Sequence, residues 1–139
     1  MLLGIIGFGK ACELAKNNLD NHIKYVKGLR DYYFSEIQKN INNIKINGSI
    51  IDRLPGNANV SFRGVNAQEL LFKLDSKGIC ASSGSACSSG ENTPSYVLTA
   101  IGLDSNLANG VLRVTLGDFN NKEEVDYLVR CLKEFVTVH

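Results

Sequence analysis

The N-terminal part of this chain contains no proline, and this stretch limits the possible folds more than any other feature. Between residues 5 and 39, apolar side chains recur every three or four positions, which predicts one long helix. These positions are Ile5, Phe8, Cys12, Ala15, Leu19, Ile23, Val26, Leu29, Tyr33 and Ile37. An unbroken helix would be about 50 Å long, whereas a compact domain of this size has a radius of gyration of about 15 Å. We therefore expect the helix either to bend near Asn17 or to pack its first half against another domain.

The composition is that of one ordinary domain or of a piece of a larger protein. The 139 residues are 44% hydrophobic and 21% charged, so the chain can build a core. A net charge of +1 argues against a broad surface for nucleic acid or for an anionic membrane. No apolar stretch is long enough for a transmembrane helix, and the N-terminus lacks the features of a signal peptide. We therefore expect a cytoplasmic protein, in which a special cysteine is reactive or metal-bound rather than part of a disulfide framework.

Short strands and helices alternate in the rest of the chain. The predicted strands are residues 44–46, 58–62, 79–81 and 111–116, and the predicted helices are residues 66–77, 93–102 and 121–136. Asn66 and Glu69 have the spacing of a capping box, and Gly78 suits the position after a helix end. The last helix has a core stripe of Val125, Leu128, Val129, Leu132 and Val136. The order predicts an α+β fold: a small mixed or antiparallel sheet of three to four strands, helices packed on one face, and a long N-terminal helix.

An arginine lies in the middle of the last predicted strand. Alternation places Arg113 with Val111 and Thr115 on one face, and Leu112, Val114 and Leu116 on the other. We expect Asn59 and Ser61 of an earlier strand to lie on the same side as Arg113. This face of the sheet is therefore semi-polar, and it meets either solvent or a ligand and a second domain.

A loop rich in small residues follows the third predicted strand. Residues 82–90 are nearly all Ser, Gly and Ala, with Cys87 among them, and we expect the segment from about residue 83 to 92 to be mobile. An exposed thiol on a mobile loop suits redox or sulfur-transfer chemistry, because the sulfur must reach a reaction centre and then leave it. The alternative is a surface linker that happens to contain a cysteine.

The sequence Ser-Ser-Gly-Ser-Ala-Cys-Ser-Ser-Gly at residues 82–90 resembles the active-site region of cysteine desulfurases of the NifS/IscS type, in the class V aminotransferase superfamily. The resemblance continues through residues 94–103, upstream at residues 57–62 and downstream at residues 112–117 and 123–127, so it covers nearly the whole chain. It implies the small domain of the fold-type I transferases that depend on pyridoxal phosphate.

The resemblance also implies specific roles. The family uses pyridoxal phosphate to convert L-cysteine to L-alanine, and Cys87 matches the cysteine that takes the sulfur as a persulfide. Arg113 matches the arginine that binds the α-carboxylate of the substrate; the alternative is an ordinary surface arginine. The other matching active-site loop residues are Ser83, Gly84, Ser85, Ala86 and Ser88. The persulfide is expected to pass to a sulfur-acceptor or iron–sulfur scaffold protein, for iron–sulfur cluster or thio-cofactor assembly.

One departure from the family pattern is large. No Ser-x-His-Lys motif for the cofactor lysine occurs, and the only histidines are His22 and His139. We expect His22 to be partly buried and structural, and His139, at the chain end, to be disordered. Residues 1–20 are then the end of a helix linked to an absent large domain, and residues 21–139 are the small domain with the active-site loop at 82–93. We expect no cofactor bound to this chain and no activity from it alone; whether it is a cloned fragment or a truncated gene is left open.

Two other hypotheses remain. The chain could be a stand-alone persulfide carrier or a docking module for a sulfur-acceptor protein, using the same Cys87. A structural zinc site is disfavoured, because Cys80 and Cys87 lack the spacing of zinc ligands, and no metal site is predicted. Cys12 and Cys131 are expected in the core and Cys80 in the core or at its edge. The uncovered first half of the long helix is expected to cause dimerisation or other self-association.

Overall fold

A computed structural model describes residues 2–84 and 96–136 of the chain. This part of the chain contains five helices and three strands. In chain order they are α1 (Leu2–Asn40), β1 (Ile44–Ile46), β2 (Asn57–Phe62), α2 (Ala67–Asp75), α3 (Tyr96–Ala100), α4 (Ser105–Ala108), β3 (Val111–Thr115) and α5 (Lys122–Val136). The predicted α+β class with a long N-terminal helix is confirmed.

The long helix α1 is one segment of 39 residues without a break at Asn17. At about 1.5 Å per residue it is about 58 Å long. Its buried residues all lie in the second half, and they are Val26, Leu29, Arg30, Tyr33, Phe34 and Ile37. Residues 2–21, here called the N-terminal segment, are exposed throughout. None of the described helices is long and apolar enough to span a membrane.

The three strands form one antiparallel sheet in the order β1-β2-β3. Asn59 of β2 lies opposite Arg113 of β3. The other edge of β3 makes an antiparallel bridge between Arg113 and Ser82. The strand predicted at residues 79–81 does not form. Among the described residues, Ser82 alone pairs with this edge of β3, so one bridge rather than a fourth strand protects the edge there.

Helices α1, α2 and α5 cover one face of the sheet and build the main core with it. Its strand members are Ala58, Val60, Phe62, Leu112 and Val114, and its α5 members include Val125, Leu128, Val129 and Leu132, with Val136 packed at the margin. The predicted stripe of α5 is therefore confirmed. The C-terminal half of α1 crosses this layer and supplies the aromatic side chains Tyr33 and Phe34.

Within residues 2–84 and 96–136, the second face of the sheet is covered at one end only. Val111 packs there with Leu98, Leu103 and Leu107 of the segment that contains α3 and α4. The short helix α4 is not predicted by the sequence pattern. The rest of this face carries Asn59 and Arg113, which are partly exposed, and the buried Ser61. The predicted semi-polar face is thus present.

Side-chain caps fix the starts of two helices. The carboxamide oxygen of Asn66 accepts hydrogen bonds from the backbone N–H groups of Gln68 and Glu69, so α2 begins where the sequence predicts. At α5, Asn121 and Glu124 form a reciprocal pair: each side chain accepts from the backbone N–H of the other. Each cap satisfies N–H groups that have no partner within the helix.

The cysteines differ from expectation at two positions. Cys131 is buried in the core as predicted, with 4% exposure. Cys12 and Cys80 are exposed, so their predicted core positions are wrong. Cys12 lies on the N-terminal segment, where helical periodicity defines an apolar side but no part of the described chain covers it. Cys80 lies in the connection after α2 rather than in a strand.

The N-terminal segment predicts self-association. Its large exposed apolar side chains are Leu2, Leu3, Ile5, Ile6, Phe8, Leu14 and Leu19, and such a surface favours association with a second molecule. Replacing Ile5 and Phe8 with Glu should reduce the concentration-dependent increase in mass seen by sedimentation velocity, without lowering the thermal midpoint. Phe72→Glu is the control, because Phe72 is 78% exposed on α2, away from this segment. A wild-type chain that is monomeric at all concentrations would contradict the prediction.

Two neighbouring tyrosines predict how stability depends on pH. The hydroxyl of Tyr33 is buried without a hydrogen-bond partner among the described residues, and burial raises its pKa. Tyr32 donates to Asp126 at 2.7 Å, and this bond raises its pKa to about 12. Both folded pKa values exceed the unfolded value of about 10, so the unfolded chain loses these protons at a lower pH than the folded chain does. The free energy of unfolding is therefore unaffected by the titration of these groups below about pH 10 and falls as the pH rises above it.

Urea unfolding tests this pair. Tyr33→Phe removes an unpaired buried hydroxyl and should raise the free energy of unfolding at neutral pH by about 1 kcal/mol. It should also reduce the loss of stability above about pH 10. Tyr32→Phe breaks the bond to Asp126 and should lower stability at neutral pH. A Tyr33→Phe variant less stable than Tyr32→Phe would contradict this account.

Candidate functional site

Arg113 occupies the centre of the semi-polar sheet face. Its strand neighbours Leu112 and Val114 are buried in the core, so alternation directs Arg113 to the opposite face. The side chain is partly exposed, and no carboxylate among the described residues lies within ion-pair distance of it. The structure thus places Arg113, which has no acidic partner among the described residues, on the face predicted to meet either solvent or a ligand and a second domain.

The guanidinium of Arg113 is held by the segment that leads to Cys87. Nη1 donates to the carbonyl oxygen of Gly84 at 3.0 Å, and Nη2 donates to Oγ of Ser82 at 3.2 Å. The backbones of Ser82 and Arg113 exchange two further hydrogen bonds, of 3.1 and 2.6 Å. Gly84 has a φ of 69°, which glycine adopts without strain. Four hydrogen bonds therefore join β3 to this segment.

Asn59 is the closest cross-strand neighbour of Arg113. The backbone N–H and C=O of Arg113 both bond to Ser82, so Asn59 and Arg113 form a non-hydrogen-bonded pair, the kind in which side chains approach most closely. The orientation of Asn59 is fixed by Asn47, whose Nδ2 donates to Asn59 Oδ1 and to Ser61 Oγ, both at 2.8 Å. Asn47 is only 3% exposed. Asn47, Asn59, Arg113 and Ser82 form a row across the sheet, here called the polar row.

Two arginines hold the loop before β2. Arg53 donates to the backbone carbonyls of Asn47 and Ser49, and Arg30 donates to that of Leu54. Burial, together with repulsion from Arg30, lowers the pKa of Arg53. Arg30 itself is 1% exposed and pairs with Asp31 at 2.7 Å. These contacts position Asn47 and, through it, one end of the polar row.

The carboxyl of Asp31 compensates the buried charge of Arg30. Partial burial raises the pKa of Asp31, but hydrogen bonds from Lys27 and Arg30 and their positive charges outweigh it, so the net pKa is lowered. Asp31 therefore stays ionised near neutral pH, as a buried guanidinium requires.

Cys87, Ser85, Ala86 and Ser88 lie outside the described residues, as does most of the loop for which mobility is predicted. The structure places Ser83 and Gly84, just before them, and brings Gly84 to Arg113. Three peptide units separate Gly84 from Cys87, so covalent geometry limits their Cα separation to about 11 Å. The site residues predicted from the sequence do not include Ser82, Asn47 or Asn59. Asn59 is predicted only to share a sheet face with Arg113, and the contacts of Ser82 and Asn47 become visible only when the strands pair.

His22 has the structural position predicted for it. Its Nδ1 lies 2.7 Å from Oδ1 of Asp118; His22 is partly exposed and Asp118 is exposed. Nearby, the hydroxyl of Tyr25 donates to the carbonyl of Asn120 at 2.7 Å. These contacts fasten α1 to the segment between β3 and α5. His139 lies outside the described residues.

The described residues provide little for a metal or a Schiff-base cofactor. Within residues 2–84 and 96–136, no three His, Cys, Asp or Glu side chains cluster as metal ligands would. Every lysine in these ranges is exposed or partly exposed. A Schiff-base lysine needs a desolvated or cationic site that lowers its pKa. These residues therefore do not fit the lysine site that pyridoxal phosphate needs.

Comparison with known proteins confirms the resemblance seen in the sequence. Residues 1–128 match the family model of class V aminotransferases. The chain is 43% identical to a cysteine desulfurase IscS of Dictyoglomus turgidum over 133 residues, which is 96% of this chain and 34% of the relative. It is 41% identical to the mitochondrial cysteine desulfurase of Arabidopsis thaliana, covering 90% of this chain and 27% of that protein.

The fold is also shared with solved structures. A NifS-like protein from Rickettsia africae superposes with a TM-score of 0.83 at 26% identity, over 98% of this chain and 35% of that one. A second NifS-like protein gives a TM-score of 0.81 at 28% identity, over 98% of this chain and 34% of that one. This chain thus spans about a third of the length of the relatives it matches. With a family model that covers residues 1–128, the chain belongs to the class V aminotransferase family.

Proposed function

We propose that this chain is the C-terminal part of a cysteine desulfurase that transfers sulfur from L-cysteine to Cys87 and releases L-alanine. The main support is the pair of hydrogen bonds from the Arg113 guanidinium to Ser82 and Gly84. They join the arginine suited to bind the substrate carboxylate to the segment that leads directly to the sulfur-accepting cysteine.

Arg113 is suited to bind a carboxylate. Its guanidinium offers five N–H donors, of which Ser82 and Gly84 engage two, and both of these acceptors are neutral. The positive charge is therefore not compensated by any described residue, and the planar group can bind a carboxylate through two parallel hydrogen bonds. In this proposal Arg113 holds the α-carboxylate of L-cysteine.

Cys87 is the proposed sulfur acceptor. Its thiolate uses one electron pair to form an S–S bond with the substrate sulfur while the Cβ–S bond of the substrate breaks. The pair from the broken bond remains on Cβ, which takes a proton and becomes the methyl group of L-alanine. The step needs no external oxidant. A thiolate is required because it is the nucleophilic form of cysteine.

In this proposal, the cofactor site belongs to a large domain outside this chain. Pyridoxal phosphate, which makes the Cβ–S bond of cysteine breakable, is held by a large domain, since the described residues do not fit its lysine site. Residues 1–20 are the end of the helix that connects to the large domain, and the large domain covers the N-terminal segment. Residues 21–139 form the small domain. The protein acts as a dimer and passes its persulfide sulfur to an acceptor such as an iron–sulfur scaffold protein. Its proposed location is the cytoplasm, although one relative is mitochondrial by name.

Replacement of the matching third of the Dictyoglomus desulfurase by this chain tests the function. The chimera should release alanine from L-cysteine in the presence of pyridoxal phosphate, whereas the 139-residue chain alone should release none. In the chimera, Cys87→Ser should abolish release and prevent the mass increase of a persulfide. Arg113→Lys should raise the KM for cysteine at least about tenfold, because the two-point carboxylate contact is lost.

Cys80→Ser is the matched control, since Cys80 is an exposed free cysteine that lies seven positions before Cys87 in the sequence. It should leave alanine release and sulfur uptake unchanged. Undiminished alanine release by the Cys87→Ser chimera would refute the acceptor role. A different result would favour the stand-alone carrier: the chimera is inactive, but Cys87 of the isolated chain takes up sulfur from an active desulfurase.

A further inference from the structure

We propose that Ser82 is a positioning residue, whose hydroxyl fixes the guanidinium of Arg113 in the orientation that binds a carboxylate. This inference rests on the substrate role proposed above for Arg113. It is carried by the 3.2 Å hydrogen bond from Arg113 Nη2 to Ser82 Oγ, in a pair of residues that are also joined through their backbones.

The backbone pairing explains why the Ser82 hydroxyl reaches the guanidinium. Ser82 and Arg113 exchange both backbone hydrogen bonds, so they are directly opposite in an antiparallel bridge. Side chains of such a pair project from the same face. The short serine side chain therefore lies beside the arginine side chain, and its oxygen meets one terminal nitrogen.

Two acceptors define the plane of the guanidinium. Ser82 binds Nη2 and the carbonyl of Gly84 binds Nη1, so the two terminal nitrogens are held separately. One acceptor alone would leave the group free to pivot about that contact. With both, the arginine loses less side-chain freedom when a ligand binds, which favours affinity through preorganisation.

Both acceptors are neutral, so they leave the positive charge of Arg113 available to an anionic ligand. A carboxylate in place of Ser82 would hold Arg113 equally well but would compensate its charge. A hydroxyl orients the guanidinium and leaves its charge available to an anion. The positions of Ser82 and Gly84 thus combine orientation with an uncompensated charge, which is what a carboxylate site needs.

The inference is tested by titrating the whole chain with acetate and following the Nε–Hε NMR signal of Arg113. The signal is assigned by its loss in Arg113→Lys, and sodium chloride at equal ionic strength is the salt control. Ser82→Ala and Ser82→Val should raise the dissociation constant for acetate about three- to tenfold, because the contact from Gly84 remains. Ser82→Thr, which retains a hydroxyl and has the shape of Val, should restore the wild-type value.

Thr115→Ala is the matched control: Thr115 shares the strand and face of Arg113 and has no hydrogen bond to it. It should leave acetate binding unchanged. Equal acetate affinity in wild type, Ser82→Ala and Ser82→Val would refute the positioning role while the carboxylate role of Arg113 stands. If acetate shifts the Arg113 signal in no variant, Arg113 of this chain binds no carboxylate and the positioning role is refuted; the KM of the Arg113→Lys chimera decides the substrate role separately.

Discussion

The arrangement of this site depends on the alternation of side chains along β3. Leu112 and Val114 must face the helices to complete the core, and this requirement directs Arg113 to the other face of the sheet. A shift of the strand by one residue would bury the guanidinium among apolar side chains and expose two core residues. The burial that stabilises the fold is therefore also what presents the cation. Packing of the core and presentation of Arg113 are thus coupled through a single strand register.

The two edges of β3 then give Arg113 its surroundings. One edge pairs with β2 and brings Asn59, oriented by Asn47, beside the arginine. The other edge pairs with Ser82 and brings the start of the cysteine loop. Among the described residues, one backbone bridge and two bonds from the Arg113 guanidinium close this edge. Four hydrogen bonds thus hold Ser82 and Gly84 beside Arg113 and fix where the chain that continues to Cys87 leaves the sheet.

The elements that were predicted well from the sequence are those whose signal is local. Helical spacing identifies α1 and α5, alternation identifies β2 and β3, and the Asn66 cap marks the start of α2. The failures concern partners distant in sequence. Periodicity marks Cys12 as part of an apolar side, but it does not tell whether another element covers that side. Likewise, no local pattern indicates that Ser82 lies opposite Arg113, since residues 29 to 31 positions apart meet only after the sheet assembles.

The charge balance around Arg113 favours an anionic ligand. Elsewhere in the molecule a buried arginine is compensated: Arg30, at 1% exposure, has the carboxylate of Asp31 at 2.7 Å. Arg113 is partly buried too, yet the described residues offer it only a hydroxyl and a carbonyl oxygen. A charge that is partly desolvated and uncompensated has a cost, and an anionic ligand relieves it. Such a site gains more from binding a carboxylate than an arginine that is already paired, because no internal ion pair has to be broken first.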